Sequence, residues 1–158
     1  AFFANTTVNG PNGLLSLTGI NTVDTSVTPL TSLDPFHEAK YAALADGAHL
    51  THFILSQDVA LALAKAKQAD GWNTGLLDNV GDGITLAGVP VLMSVSVPAG
   101  NAWGVVASQI FLAQRTGTTV VMSQDAAFSY DAVQVRATAR VSWGFANPAG
   151  VVRIYDAP

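Results

Sequence analysis

Cysteine is absent from the 158-residue chain, which excludes disulfides and thiolate metal sites and leaves the redox compartment open. Charge is nearly as scarce. Asp, Glu, Lys and Arg make 11% of residues, against about 25% in ordinary soluble domains. A free monomer normally coats itself in charge, whereas a subunit packed among neighbours need not. The net charge of −4 gives no support to electrostatic wrapping of nucleic acid. No apolar run approaches the roughly 18 residues of a membrane-crossing helix, so no membrane partner is expected. Motifs of common enzymes are missing as well: there is no GxSxG elbow, GxGxxG turn, Walker loop or HExxH helix. The chain lacks an initiator Met and a signal-like leader, so it is expected to start at a processing site or a truncation.

What is there is 49% apolar, in a length that suits one domain, or one and a half, burying roughly 70% of its unfolded surface. The organising stretch is Asp131 to Phe145, DAVQVRATARVSWGF. Val133, Val135, Ala137, Ala139, Val141, Trp143 and Phe145 alternate with Gln134, Arg136, Thr138, Arg140 and Ser142. Period-two alternation over this length predicts one long half-buried strand. At about 3.3 Å per residue it would run some 45–50 Å, far beyond the usual five or six residues. Such a strand outruns an ordinary compact core and points to a flat, extended body. Its polar face places Arg136 and Arg140 toward solvent or a neighbouring subunit. Asn147-Pro148-Ala149-Gly150 ends it, and Val151 to Tyr155 closes the chain as a short apolar strand.

Residues 1–27 are rich in Asn, Thr and Gly, with a turn centre at Asn9-Gly10-Pro11-Asn12-Gly13. Leu14 to Ile20 is expected as a short strand within an extended surface connection. A helix is predicted over Pro35 to Ala45, capped by Ser32 or Asp34 and ended by Asp46-Gly47. Phe36, Ala39, Ala43 and Leu44 form its buried stripe. Leu50 to Leu55 reads as a strand. Ser56 then caps a second helix through about Gln68, with Val59, Leu63 and Ala66 on one face and Lys65 and Lys67 near its C-terminus. Ala69 to Gly83 is a Gly- and Asp-rich loop carrying Trp72, Leu76 and Leu77, of a length that is usually functional or packs on a neighbour. Strands follow at Ile84–Leu86, Val89–Met93, Val105-Val106, Ile110–Ala113 and Thr118–Met122. The sequence contains no internal repeat.

His49 and His52 stand three apart with His37 upstream, a spacing that on a strand sends the pair to opposite faces. Surface or hydrogen-bonded histidines are expected, and no metal. Asp78 and Asp82 resemble a calcium loop loosely, but the alternate ligands and closing Glu are missing, which predicts a solvated loop. Trp72, Trp103 and Trp143 are assigned to core packing or subunit contact ahead of a ligand platform. Trp72 and Trp103 join Arg136 and Arg140 as candidate interface residues. No cofactor is implied, and the residues argue against an enzyme.

Several stretches resemble the major capsid protein family of tailed bacteriophages, the fold named after phage Hong Kong ninety-seven. Ala1-Phe2-Phe3 and Gly13-Leu14-Leu15 resemble the junction after that family's spine helix. Phe53-Ile54-Leu55-Ser56, before a helix ending Ala66-Lys67-Gln68-Ala69-Asp70-Gly71, is similar to its strand, helix and lysine–glycine turn. Leu86-Ala87-Gly88-Val89-Pro90-Val91 resembles its leucine–glycine–proline–valine strand, followed by Val97-Pro98-Ala99-Gly100. Ala107-Ser108-Gln109 through Arg115-Thr116-Gly117 and Val120 looks like the stretch with an arginine–glycine turn. Val133 to Trp143 with Asn147-Pro148-Ala149 resembles the long and closing strands. The order and spacing of these pieces span nearly the whole chain.

The resemblance implies an α+β fold: an axial domain of mixed sheet with flanking helices, plus the long-strand part of a peripheral domain. It places a connection over 1–30, the axial domain over 31–125, the long strand over 126–147 and a closing strand returning to the axial domain over 148–158. It further implies the C-terminal part of a longer subunit, without the N-terminal arm, extended loop and spine helix. The function implied is a non-enzymatic shell subunit that self-associates into hexamers and pentamers. Such a shell encloses DNA without sequence-specific binding, in the virion after assembly in the bacterial cytoplasm. Some relatives cross-link a lysine to an asparagine; aligned back from Pro148, Asp131 holds the asparagine position and Thr138 that of the assisting glutamate, so the resemblance does not imply that cross-link here. An encapsulin-like compartment shell on the same scaffold is the alternative, and a small hydrolase with a non-local triad is the third class weighed.

Overall fold

The computed structural model describes residues 2–5, 10–26, 30, 32–66, 78–80, 83–125 and 128–156. It divides into a body (1–109 with 146–158) and a ribbon (110–145), so the strand beginning at Ile110 groups with the ribbon.

Helix α1 (Asp34–Ala45) begins one residue before the expected start, with Pro35 in its first turn. Proline there loses no intrahelical bond and arrives with helical φ. The Ser32 hydroxyl accepts the Asp34 amide at 3.2 Å and donates to the Asp34 carboxylate at 3.0 Å. At the other end Gly47 adopts φ 71°. Its amide donates to Leu44 O at 3.0 Å and the Ala48 amide to Ala43 O at 2.9 Å, a Schellman ending. Phe36, Ala39 and Ala43 are buried as expected, but Leu44 is 41% exposed. At 100° per residue it sits about 100° from the centre of that stripe, which is why it misses the core.

Helix α2 (Gln57–Lys65) follows strand β2 (His52–Leu55) through Ser56. Ser56 occupies the N-cap position, yet its side chain makes no capping bond. The helix stops at Lys65, short of the expected Gln68, and residues 67 and 68 lie outside the described ones. Val59 and Leu63 are buried; Ala66 is the C-cap.

The other body strands are β1 (Asn21–Asp24), β3 (Asp78–Val80), β4 (Gly83–Leu86), β5 (Val89–Met93), β6 (Asn101–Val105) and, after the ribbon strands, β9 (Val152–Tyr155). They form one mixed sheet in the order β1-β9-β6-β2-β5-β4-β3, with β1∥β9 and β2∥β5 parallel and the other pairs antiparallel. Ala87 (φ 52°) and Gly88 (φ 75°) make the tight turn between β4 and β5, the twist that two-residue hairpins favour. Phe53, Leu55, Ala102, Val152 and Ile154 pack with α1 and α2 into a single core.

Four expectations are corrected. Leu14–Ser16 is a turn of 3-10 helix rather than a strand, and Leu14 is buried. β1 forms from Asn-Thr-Val-Asp, which lacks an apolar alternation, because its one buried side chain, Val23, suffices at an edge beside β9. β6 spans Asn101–Val105, so Val106 lies beyond it. Ile110–Ala113 and Thr118–Met122 are one strand, β7 (Ile110–Ser123), because irregularities at Gln114/Thr116 and Thr116/Thr119 absorb the apparent break without ending the pairing.

In the ribbon, β7 pairs antiparallel with β8 (Gln134–Phe145), apart from the body sheet as expected for the long strand. β8 starts after Asp131, which sits in a turn at φ 49°. The expected half-burial fails: along β8 only Trp143 and Phe145 escape full exposure. Two strands alone have no second layer, so both faces stay open.

Candidate functional site

Directly opposed residues of an antiparallel pair project from the same face. The register therefore sorts the ribbon into two faces. One carries Arg136 opposite Val121, Thr138 opposite Thr119, Arg140 opposite Thr116, Ser142 opposite Ala113 and Gly144 opposite Phe111. The other carries Val135 opposite Met122, Ala137 opposite Val120, and Trp143 opposite Leu112, with Val135 60% and Leu112 74% exposed. The alternation in the sequence is thus a real division into a basic face and an apolar face, although neither is buried.

The bulge at Gln114/Thr116 brings Arg115 into a groove that Arg140, Gln114 and Ser142 also line. Arg136 borders a second groove with Val121, Ser123, Gln134 and Val135. Arg115, Arg136 and Arg140 have no acidic partner among the described residues. Both predicted arginines are exposed on one face. Arg115 was missed as a site residue because its place in the sequence gave no hint that a bulge would bring it beside Arg140.

Trp103 is placed differently. It is 0% exposed in β6, so its side chain offers no surface to a neighbour, and it lies on the sheet face opposite the core that packs on α1 and α2. Across the strand from it lies Arg153, whose guanidinium carbon is 5.9 Å from the Trp103 ring centroid and 4.2 Å from that of Tyr155. Arg153 Nε donates to Asn101 Oδ1 at 2.9 Å. This stacked cation fixes the β6–β9 pairing on the face away from α1. The V-R-I-Y alternation of β9 was the signal for it, read only as a closing strand. Trp72 lies outside the described residues.

His37 and His49 are exposed, and His52 Nδ1 is 3.1 Å from the Thr51 hydroxyl. Among the described residues no three His, Asp or Glu side chains gather where a metal could be held. Asp78 falls in β3, and Asp82 lies outside the described residues. Asp131 and Thr138 are both exposed, the first in the turn and the second mid-strand. No described helix is long and apolar enough to cross a membrane.

The most organised carboxylate is Asp58, whose Oδ2 accepts the Gly100 amide at 2.7 Å. The neighbouring Ser56 hydroxyl, the Gly100 amide and the amides of Asp58 and Val59 hold its pKa below the ordinary carboxylate range, against a smaller opposing effect of burial. Asp58 ties the start of α2 to the turn before β6; this is a structural anchor.

Comparison with known proteins places this architecture. The capsid of a native GTA particle superposes with a TM-score of 0.76 and 23% identity, over 100% of this chain and 60% of that one. The structure of Mycobacterium phage Ogopogo gives 0.70 and 14%, over 99% and 59%. A virus-like particle from Pyrococcus furiosus gives 0.62 and 11%, over 89% and 58%. The chain therefore spans about 60% of the length of these solved structures. Identities this low carry the fold alone, and it is the mixed α+β capsid fold expected from the sequence. No curated protein sequence matches. The sequence model of the phage capsid family matches residues 1–155, and the chain belongs to that family.

Proposed function

We propose that the chain is a structural subunit of an icosahedral viral shell, contributing to pentamers and hexamers that enclose phage DNA without reading its sequence. The observation that carries this reading is the phage capsid family match over residues 1–155. The GTA capsid, computed with C5 symmetry, supports a ring-forming scaffold. On this reading the body serves as the axial domain, which then ends at Gln109 instead of the expected 125, the ribbon over 110–145 supplies the long strand of the peripheral domain, and the chain returns to the axial domain from Ala146. Arg136 and Arg140 meet a neighbouring subunit. The protein runs no reaction and needs no cofactor; it assembles in the bacterial cytoplasm and resides in the virion.

The test is electron microscopy of the protein expressed from its complete reading frame. DNA-filled shells bearing a portal are expected. Protein-filled shells without a portal would indicate a compartment of the encapsulin kind, and an absence of particles would overturn both readings.

A further inference from the structure

The paired strands of the ribbon hold three arginines and no carboxylate over 14 and 12 residues. Arg115 and Arg140 share a groove and Arg136 stands further along the same face as Arg140. Like charges this close repel in an isolated ribbon, so the face is suited to an anionic surface. The rest of the chain, 1–109 with 146–158, carries nine acids against four bases. Resting on the reading of the chain as a shell subunit, we propose that the basic face of the ribbon docks on the exposed face of α1 in a second copy of this chain.

Asp125 and Asp131 belong to the ribbon itself, and among the described acids of the body, Asp78 of β3 aside, those of α1 stand out. Asp24 accepts the Ser26 amide, Asp46 accepts Asn21 Nδ2 at 2.7 Å, and Asp58 accepts Gly100. Asp156 stands alone after β9. Asp34 and Glu38 form an exposed pair one turn apart; Asp34 has only the Ser32 hydroxyl, and Glu38 has no partner among the described residues. Lys40, the one Lys or Arg on α1, points its ammonium at Ala87 O, 3.0 Å away, which leaves the exposed His37, neutral at pH 7, as the nearest basic group to the pair. The pair is therefore uncompensated.

The two surfaces also run in the same order. Asp34 and Glu38 are about 6 Å apart along the helix, and Tyr41 follows about 4.5 Å further on the same face. Tyr41 is 66% exposed. On the ribbon, Phe111 lies two residues, about 7 Å, from the Ala113–Ser142 pair that flanks the Arg115/Arg140 groove. Opposite Phe111 is Gly144, where an added Cβ would touch nothing within 4 Å. Bare backbone beside an exposed ring is a seat for a second aromatic ring. Acids meet arginines, then Tyr41 meets Phe111. A contact between two different surfaces of the same chain is heterologous, so it can repeat around a ring.

Two charge-reversed forms of the chain test this, R115E/R140E and D34K/E38K, each checked for folding by circular dichroism. Sedimentation equilibrium at low salt should show concentration-dependent association of the unaltered chain, weakened at least about tenfold in either variant alone and by added salt. An equimolar mixture of the variants should regain it, since an acidic ribbon then faces a basic helix. The proposal is overturned by an unaltered chain that stays monomeric, by association that survives either reversal, or by a mixture that fails to recover. Binding of duplex DNA that R115E/R140E abolishes, without any change in protein mass, would give the face to nucleic acid instead. Shells imaged from the complete reading frame alongside a monomeric chain here would sink this contact and leave the shell reading standing.

Discussion

Phe36 on α1 and Phe53 on β2 meet edge to face, with ring centroids 5.4 Å apart and planes at 86°. Both rings are fully buried, and they lock the first helix onto the middle of the body sheet. The pair joins residues 17 positions apart in sequence, so it connects the helix to the next element of the chain and leaves the ribbon untouched.

Truncating one ring leaves a cavity bounded by the other. Phe53→Ala should destabilise the protein by about 3–5 kcal/mol, the cost of lost burial plus an unfilled void. Phe53→Leu, which keeps most of the volume, should cost much less. Urea denaturation followed by circular dichroism measures both; a loss below about 1 kcal/mol for the alanine variant would mean the site collapses freely.

Asp58 predicts an acid limb in the stability curve. Its carboxyl titrates below the ordinary value in the folded chain. A depressed folded pKa contributes stability that is present above the unfolded value, about 4, and is lost as pH falls through the folded one. Asp58→Asn keeps an acceptor for the Gly100 amide but removes the charge. Its stability should fall less steeply than that of the parent below about pH 4. Parallel acid limbs in the two proteins would contradict the assignment.

Gly150 and Gly104 both stand where a methyl group has little room, but the neighbours differ. At Gly150 an added Cβ would lie 2.7 Å from Gln109 Oε1 and 2.9 Å from Ala48 Cβ. At Gly104 it would lie 2.8 Å from Leu50 Cδ1. Ala48 Cβ is fixed to the backbone, whereas the Leu50 tip can rotate. Gly150→Ala should therefore cost about 1–3 kcal/mol through overpacking, and Gly104→Ala less. Thermal melts of the two variants rank them, and the reverse order would show that the backbone near Ala48 yields.

Strong periodicity makes an element legible in the amino-acid sequence: α1 and α2, β5, and the alternation that divides β8 into two faces. What stays hidden there is decided by pairing partners. β1 exists because β9 lies beside its four mostly polar residues, and β7 is continuous because a bulge accommodates Arg115 and Gly117. Local composition shows neither partner. The same limit governs the site. Arg136 and Arg140 follow from alternation, Arg115 from a bulge that sequence spacing does not reveal. Trp103 is ambiguous in sequence because a tryptophan in a short apolar run fits a core and an interface equally well. Full burial on β6 under Arg153, on the sheet face away from the helices, decides for internal packing.

Arg136 and Arg140 separate folding from assembly. Both are exposed, and neither has an acidic partner among the described residues. Exposed charges without partners seldom change stability by more than about 0.5 kcal/mol when replaced. R136E/R140E should therefore melt within a few degrees of the parent. Reversing two charges on a face that meets another subunit is a different matter. Like charges opposed across an interface cost several kcal/mol and slow encounter as well. Particle yield from the complete reading frame should drop sharply in the double variant while soluble, folded protein remains. Adding salt should recover part of the yield, because screening weakens the new repulsion more than it weakens apolar contacts. Shells forming normally with both charges reversed would show that this face meets no neighbour. A melt depressed by more than about 5 °C would instead place the arginines in the fold's own support, since shifts of that size correspond to roughly 1 kcal/mol or more in a chain of this length.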